Sequence, residues 1–270
     1  MYETGEYMSA DQKKYLKRLK IRKKMVSLSR AAILVVFIAI WELAARYSLI
    51  DAFIFSQPSR MLKAMIDMAK NGVLFYHIGV TLFETIIGFI MGTVLGCAVA
   101  MLLWWNDFIS DVLEPYLVVL NSLPKTALAP IIIVWIGNNM KSIIVTALLT
   151  SVIVTILSVL SGFLSVDNDK IKLVETFGGT KRQILFKVVL PASVPSIISA
   201  VKISIGLSFV GVIVGEFLVA KAGLGYLIVY GSQIFKLDWV MLSIVILGVF
   251  AALLYKLIVF IESRLIKRWK

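Results

Sequence analysis

The stretch at 172–191, KLVETFGGTKRQILFKVVLP, is charged and holds two adjacent glycines, yet it lies between long apolar runs at 143–164 and 194–220. It reads as two short helices. In DKIKLVETFGG, the residues Ile171, Val174 and Phe177, with Leu173, make an apolar side that stops at glycine. In TKRQILFKVVLP, Thr180 is a plausible cap and Ile184, Leu185 and Val188 make the apolar side. Gly178 and its neighbours are the expected turn, since glycine accepts a positive φ without steric cost. A polar segment of thirty residues, 165–194, between apolar runs needs its own structure or a partner. Two amphipathic helices form a knob suited to a protein groove.

The surrounding chain sets where that knob stands. Of 270 residues 60% are hydrophobic and 16% charged, with a mean hydropathy of +0.93. A soluble domain is nearer 45–50% apolar and about 25% charged, so this is an integral membrane protein. Six segments meet the ~20-residue requirement for a spanning helix: 31–50, 78–103, 112–136, 142–164, 195–219 and 239–261. None alternates in the manner of a barrel strand. The expected fold is all-α and polytopic, with about six transmembrane helices and a cytoplasmic loop.

Orientation follows from lysine and arginine. Residues 1–30 carry nine, the 165–194 loop carries Lys170, Lys172, Lys181, Arg182 and Lys187, and the tail carries Arg264, Lys267, Arg268 and Lys270. These are eighteen of the 28, and six spans put all three regions on one side, which the positive-inside rule makes cytoplasmic. The short inner loop WWNDFISD at 104–111 has no basic residue and is an exception. The expected division is a cytoplasmic basic segment at 1–30, a transmembrane domain at 31–262 that carries the 165–194 loop, and a cytoplasmic basic tail at 263–270. The N-terminus does not read as a cleavable signal, because the apolar run after its basic region is long and contains Trp41, Glu42 and Arg46. The basic segment is a topology determinant that could also lie on anionic lipid headgroups.

Details inside the spans suggest packing. Residues 59–71 form a short amphipathic helix with Met61, Leu62, Met65, Ile66 and Ala69 as its stripe, suited to the outer interface. Gly88, Gly92, Gly96 and Ala100 make a flat strip for close helix approach. Pro115, Pro124 and Pro130 should bend or break the third span.

Several functions are excluded. A single cysteine, Cys97, makes no internal disulfide, and with one histidine, His77, a Cys/His metal site is not expected. GGTK at 178–181 lacks phosphate-loop spacing, GLG at 223–225 lacks a third glycine, and no nucleophile–base arrangement is visible. The net charge of +12 reflects basic cytoplasmic segments rather than nucleic-acid binding. No catalytic residue, metal or cofactor of the chain's own is expected.

Polar residues within spans need a reason. Glu42 and Arg46, four apart, can pair, and Lys202 can snorkel to the inner interface. Asn121, Ser122 and Lys125 cluster in the proline-broken span, and Ser204, Ser208 and Glu216 follow one another along the fifth. These six either line a translocation path or make helix-to-helix hydrogen bonds.

The loop resembles the EAA signature of permease subunits of binding-protein-dependent ABC importers: E-A-A, three residues, Gly, nine residues, Ile, one residue, Leu-Pro. Here it reads Lys172-Leu173-Val174, Gly178, Val188, Leu190-Pro191, with Lys172 where glutamate is usual. Further segments are similar to the nitrate/sulfonate/taurine branch, in order. They are WELAARY from Trp41, TLFETIIGFIMGTVLG from Thr81 (Glu84 standing in the usual arginine place), SLPKTALAPIIIVWIG from Ser122 and GEFLVAKAGLGYLI from Gly215.

The resemblance implies a permease in a prokaryotic cell membrane, working as a homodimer with two cytoplasmic ATPase subunits that bind the ATP and an external solute-binding protein. Lys172, Leu173, Val174, Phe177, Gly178, Gly179, Leu190 and Pro191 would form the ATPase-docking coupling loop. The solute would be small and anionic or vitamin-like, of the sulfonate, taurine, nitrate or thiamine-precursor class. An ion-coupled secondary transporter is the alternative, opposed by the absence of inverted repeats or a mid-membrane carboxylate pair in the sequence.

Overall fold

A computed structural model describes residues 10–266. The first nine residues of the basic N-terminal segment and Lys267, Arg268 and Lys270 of the tail lie outside the described residues. Among the described residues there are helices and no strands.

The chain divides into two compact units, 1–63 and 64–270. In the first, α1 (Ala10–Arg46) is a single helix of 37 residues. At 1.5 Å per residue that is about 55 Å, against about 30 Å of hydrocarbon. The basic segment and the first span are thus one continuous rod whose basic end extends beyond a bilayer. α2 (Ala52–Phe55) follows, and α3 (Pro58–Lys70) crosses the boundary into the second unit. The expected Glu42–Arg46 pair does not form. Glu42 instead accepts from the Ser59 backbone N–H at 3.0 Å and its hydroxyl at 2.9 Å, capping α3 with a carboxylate where its N–H groups lack partners. In the expected stripe of α3, Leu62 and Ile66 are exposed, while Met65 and Ala69, together with Met68 outside it, pack with Leu74, Leu224 and Leu242.

The second unit is built on α4 (Val73–Trp105), α5 (Asp107–Ser122), α6 (Ala129–Ile136), α7 (Met140–Leu164), α8 (Asn168–Thr176), α9 (Lys181–Ile184), α10 (Leu190–Ala192), α11 (Val194–Val219), α12 (Leu224–Gln233) and α13 (Leu237–Ile266). Among the described residues five stretches are long and apolar enough to cross a membrane, α1 included, and the pair α5 and α6 makes a sixth if it counts as one span.

That pair is bent by 86°. Proline explains where: Leu123 precedes Pro124 and is extended (φ −66°, ψ 138°), as the ring of a following proline demands. Pro115 stays inside α5, and Pro130 sits in the first turn of α6, where its missing N–H costs nothing.

α7 lies between α4 and α11 through small residues. A Cβ on Gly88 would come within 2.7 Å of the Ala147 Cβ, one on Gly96 within 2.7 Å of Thr155, and one on Gly211 within 2.7 Å of the Ala147 Cα. The expected glycine strip is therefore the α4–α7 seam. The buried hydroxyls of α7 are satisfied by their own helix: Thr146 donates to the Ser142 carbonyl, Thr150 to that of Thr146 and Thr155 to that of Ser151. Lys202 finds a charged partner in the fold. Its Nζ lies 2.6 Å from Glu262 Oε2, joining α11 to α13.

Candidate functional site

The knob between α7 and α11 is built as its residues suggest. α8 starts on Asp167, whose carboxylate accepts from the Asp169 N–H, and ends as Gly178 turns at φ +74°. The Gly178 N–H donates to the Glu175 carbonyl at 2.8 Å and the Gly179 N–H to that of Val174 at 2.9 Å, which satisfies the last carbonyls of the helix. Thr180 and Gln183 then cap each other. The Thr180 N–H donates to Gln183 Oε1 at 2.8 Å, and the Gln183 N–H donates to Thr180 Oγ1 at 3.3 Å. A π turn at 185–189 joins α9 to α10.

One side of the knob belongs to the core. Ile184, Leu185 and Val189 are buried with Leu103, Val159 and Phe163, and Ile171, Val174 and Leu190 pack against them. The Lys181 ammonium lies 5.7 Å from the Trp104 ring centre, a cation–π contact at the end of α4. Ser193 Oγ donates to the Gly162 carbonyl at 3.0 Å, pinning the entry to α11.

The other side is bare. Phe177 is 83% exposed beside Gly178, with Leu173 at 58% and Phe186 at 56%. Of the predicted docking residues, Lys172, Leu173, Phe177 and Gly178 are exposed. Val174, Gly179, Leu190 and Pro191 are partly covered and hold the knob together. An aromatic ring presented to water from a braced scaffold, with Lys172 and Arg182 nearby in the chain, has the make-up of an interface anchor.

The six predicted path residues fall into two groups. Asn121 and Ser122 are exposed at the α5–α6 break, where Lys125 Nζ donates to the Asn121 carbonyl at 3.0 Å and to its Oδ1 at 3.2 Å. Ser204, Ser208 and Glu216 are buried on the α11 face toward α4. Ser204 contacts the Thr93 hydroxyl at 3.3 Å, and Ser208 Oγ has no hydrogen-bond partner among the described residues.

Glu216 belongs to a network at the bundle end opposite the knob. Thr81 Oγ1 donates to Glu216 Oε1 at 2.7 Å and accepts from the Leu224 N–H at 2.8 Å. The Gly225 N–H donates to Glu216 Oε2 at 2.6 Å, and the Gly223 N–H to His77 Nδ1 at 2.9 Å. The carboxylate therefore sits on the N-terminus of α12, as helix polarity favours, and His77 is structural.

Two features were not singled out from sequence. Glu84, noted in sequence only as a departure from a pattern, is buried next to this network. A groove of about 340 Å³ at the knob end is lined by Ser158 and Ser161 of α7, Ser165 just past its end, and Ser196 and Ser199 of α11.

Residues 88–270 match the family described as the binding-protein-dependent transport system inner membrane component. Over 207 residues the chain is 30% identical to the formylaminopyrimidine transport permease protein ThiX of Halalkalibacterium halodurans, covering 76% of this chain and 82% of that one. It is 26% identical over 235 residues to a Bacillus subtilis protein, SsuC, named for aliphatic sulfonates transport, covering 87% and 85%. In fold it is similar to a chain of the MetNI methionine ABC transporter in an inward-facing conformation, with a TM-score of 0.61 and 22% identity over 73% of this chain and 96% of that one.

Proposed function

The chain belongs to the family of binding-protein-dependent transport system inner membrane components, and we propose that its knob, from α8 to α10, is the part that seats in the cytoplasmic ATPase. As a member it is a non-catalytic, multi-pass permease subunit of an ABC importer, with ATPase and binding-protein partners. The observation that carries the docking proposal is the exposed Phe177 at a glycine turn whose reverse side is locked into the core.

In this reading two copies of the chain stand side by side, and both termini and the knob face the cytoplasm. ATP binds only to the partner subunits. Their closure moves the two knobs, and the spans exchange between inward-open and outward-open arrangements as packed bodies. The names of the relatives support a small polar organic solute of the sulfonate or thiamine-precursor class. The exposed Asn121 and Ser122 and the half-buried Lys125 at the α5–α6 break, with the serine groove, are the surfaces we assign to its path.

Reconstitution with the partner subunits tests this. ATP enclosed on the knob side should drive uptake, and the chain alone should hydrolyse no ATP. Uptake driven by an ion gradient without ATP would return the secondary-transporter reading.

A further inference from the structure

The 37 residues of α1 form one unbroken helix, so its basic end cannot lie flat on a bilayer that its apolar end crosses. At 1.5 Å per residue, about 30 Å of hydrocarbon takes about 20 residues. With Arg46 at one edge of the hydrocarbon, the other edge falls near Ser27. The headgroup layer beyond it is about 5–7 Å deep, roughly four residues, and reaches to Arg22. Arg22 therefore stands at headgroup depth, Arg30 is within one turn of it by a flexible side chain that can reach back, and Arg18 is one turn further out.

These three arginines share a face. At about 100° per residue, Arg18, Arg22 and Arg30 fall within about 120° on one side of the helix, and Lys17, Lys20 and Lys24 within about 60° on the opposite side. The arginine face carries a shallow groove of about 550 Å³, in which Met25, Val26 and Ile33 lie among Arg18, Arg22 and Arg30. All six side chains are exposed, and none of the arginines makes an ion pair among the described residues. Residues 10–30 hold nine lysines and arginines against one acid, Asp11, so no nearby carboxylate competes for them.

We propose that this groove binds an anionic phospholipid of the leaflet from which the basic end of α1 emerges. The guanidinium groups present paired N–H donors that match phosphate oxygens. Met25, Val26 and Ile33 take the glycerol end and the upper part of an acyl chain. Depth decides for a lipid over a soluble partner: the groove runs from Arg18, outside the headgroups, to Ile33, about 9 Å inside the hydrocarbon edge, where lipid reaches and a soluble protein does not. Charge decides for an anionic lipid over a zwitterionic one, because the face has three positive groups and no negative one.

Lipid retention by the purified full-length permease, with its copurifying subunits, tests this. The protein is stripped in neutral detergent and offered equimolar phosphatidylglycerol and phosphatidylcholine of matched acyl chains, and the retained lipids are counted by native mass spectrometry. Wild type should prefer phosphatidylglycerol on the order of fivefold or more, about what one basic residue near an anionic surface is worth. R18Q/R22Q/R30Q should lose most of that preference. K17Q/K20Q/K24Q, which has the same net charge on the opposite face, should keep it. Should the triple variants not reach the membrane, R22Q and K24Q carry the same comparison, since they stand at similar depth on opposite faces. Equal retention of the two lipids by wild type would overturn the proposal, as would equal loss in the arginine and lysine variants, which reports a diffuse field and no groove. So would an arginine variant that keeps its lipid preference and sheds a copurifying subunit, because the face would then belong to a partner protein.

Discussion

Gly92 of α4 stands against Ser151 of α7 so closely that a Cβ on the glycine would overlap the serine hydroxyl. That hydroxyl already donates to the Ala147 carbonyl at 3.1 Å in its own helix, so removing it leaves no acceptor in need of a partner elsewhere. Gly92→Ala should therefore destabilise by about 1–3 kcal/mol through overpacking. Ser151→Ala alone should be nearly silent, and the double variant should recover much of the loss. Melting temperatures in detergent check this. Strict additivity of the two substitutions would show that the seam is looser than described.

The Lys202–Glu262 pair, each side chain about a quarter exposed at 23% and 22%, should be worth on the order of 1 kcal/mol. Lys202→Ala and Glu262→Ala should each lower stability, the double variant should cost less than their sum, and the exchanged pair Lys202→Glu with Glu262→Lys should restore most of it. If the exchanged pair is no better than either single variant, the contact is incidental.

The bent pair α5 and α6 decides whether the chain crosses the membrane five or six times, and so where its termini lie. In a Cys97-free background, Asn138→Cys should label from outside intact cells and Asn106→Cys should not, if the pair spans once. Both positions are exposed, so accessibility to an impermeant reagent reports the side. Labelling of both from one side would make the pair re-entrant and place the termini on opposite faces.

The spans, the glycine seam, the proline break and the cap at Thr180 were legible because each is a local rule: run length, small-residue spacing, missing N–H groups, a hydroxyl before a helix. Pairings across distance were not. Glu42 sits four residues from Arg46 but caps α3 through Ser59, and Lys202 finds Glu262 sixty residues on, neither of which any local period encodes. The knob was half legible. Amphipathic spacing marked Val174 and Phe177 alike as apolar, while only the fold shows that Val174 faces inward and Phe177 outward. Glu84 showed itself in sequence only as a departure from a pattern. Its closeness to Glu216 required α4 and α11 to be packed together.

Docking of the knob is the central claim, and copurification of the ATPase tests it most directly. A Cβ at Gly178 meets nothing within 4 Å and Phe177 contributes little to the core, so Phe177→Ala and Gly178→Asp should leave the spans intact. The strain of a side chain at φ +74° is about 1–3 kcal/mol and is confined to the turn. Both variants should reach the membrane at wild-type level and melt close to wild type, yet lose the ATPase on purification and lose uptake. Wild-type recovery of the ATPase with both variants, at wild-type uptake, would contradict the account.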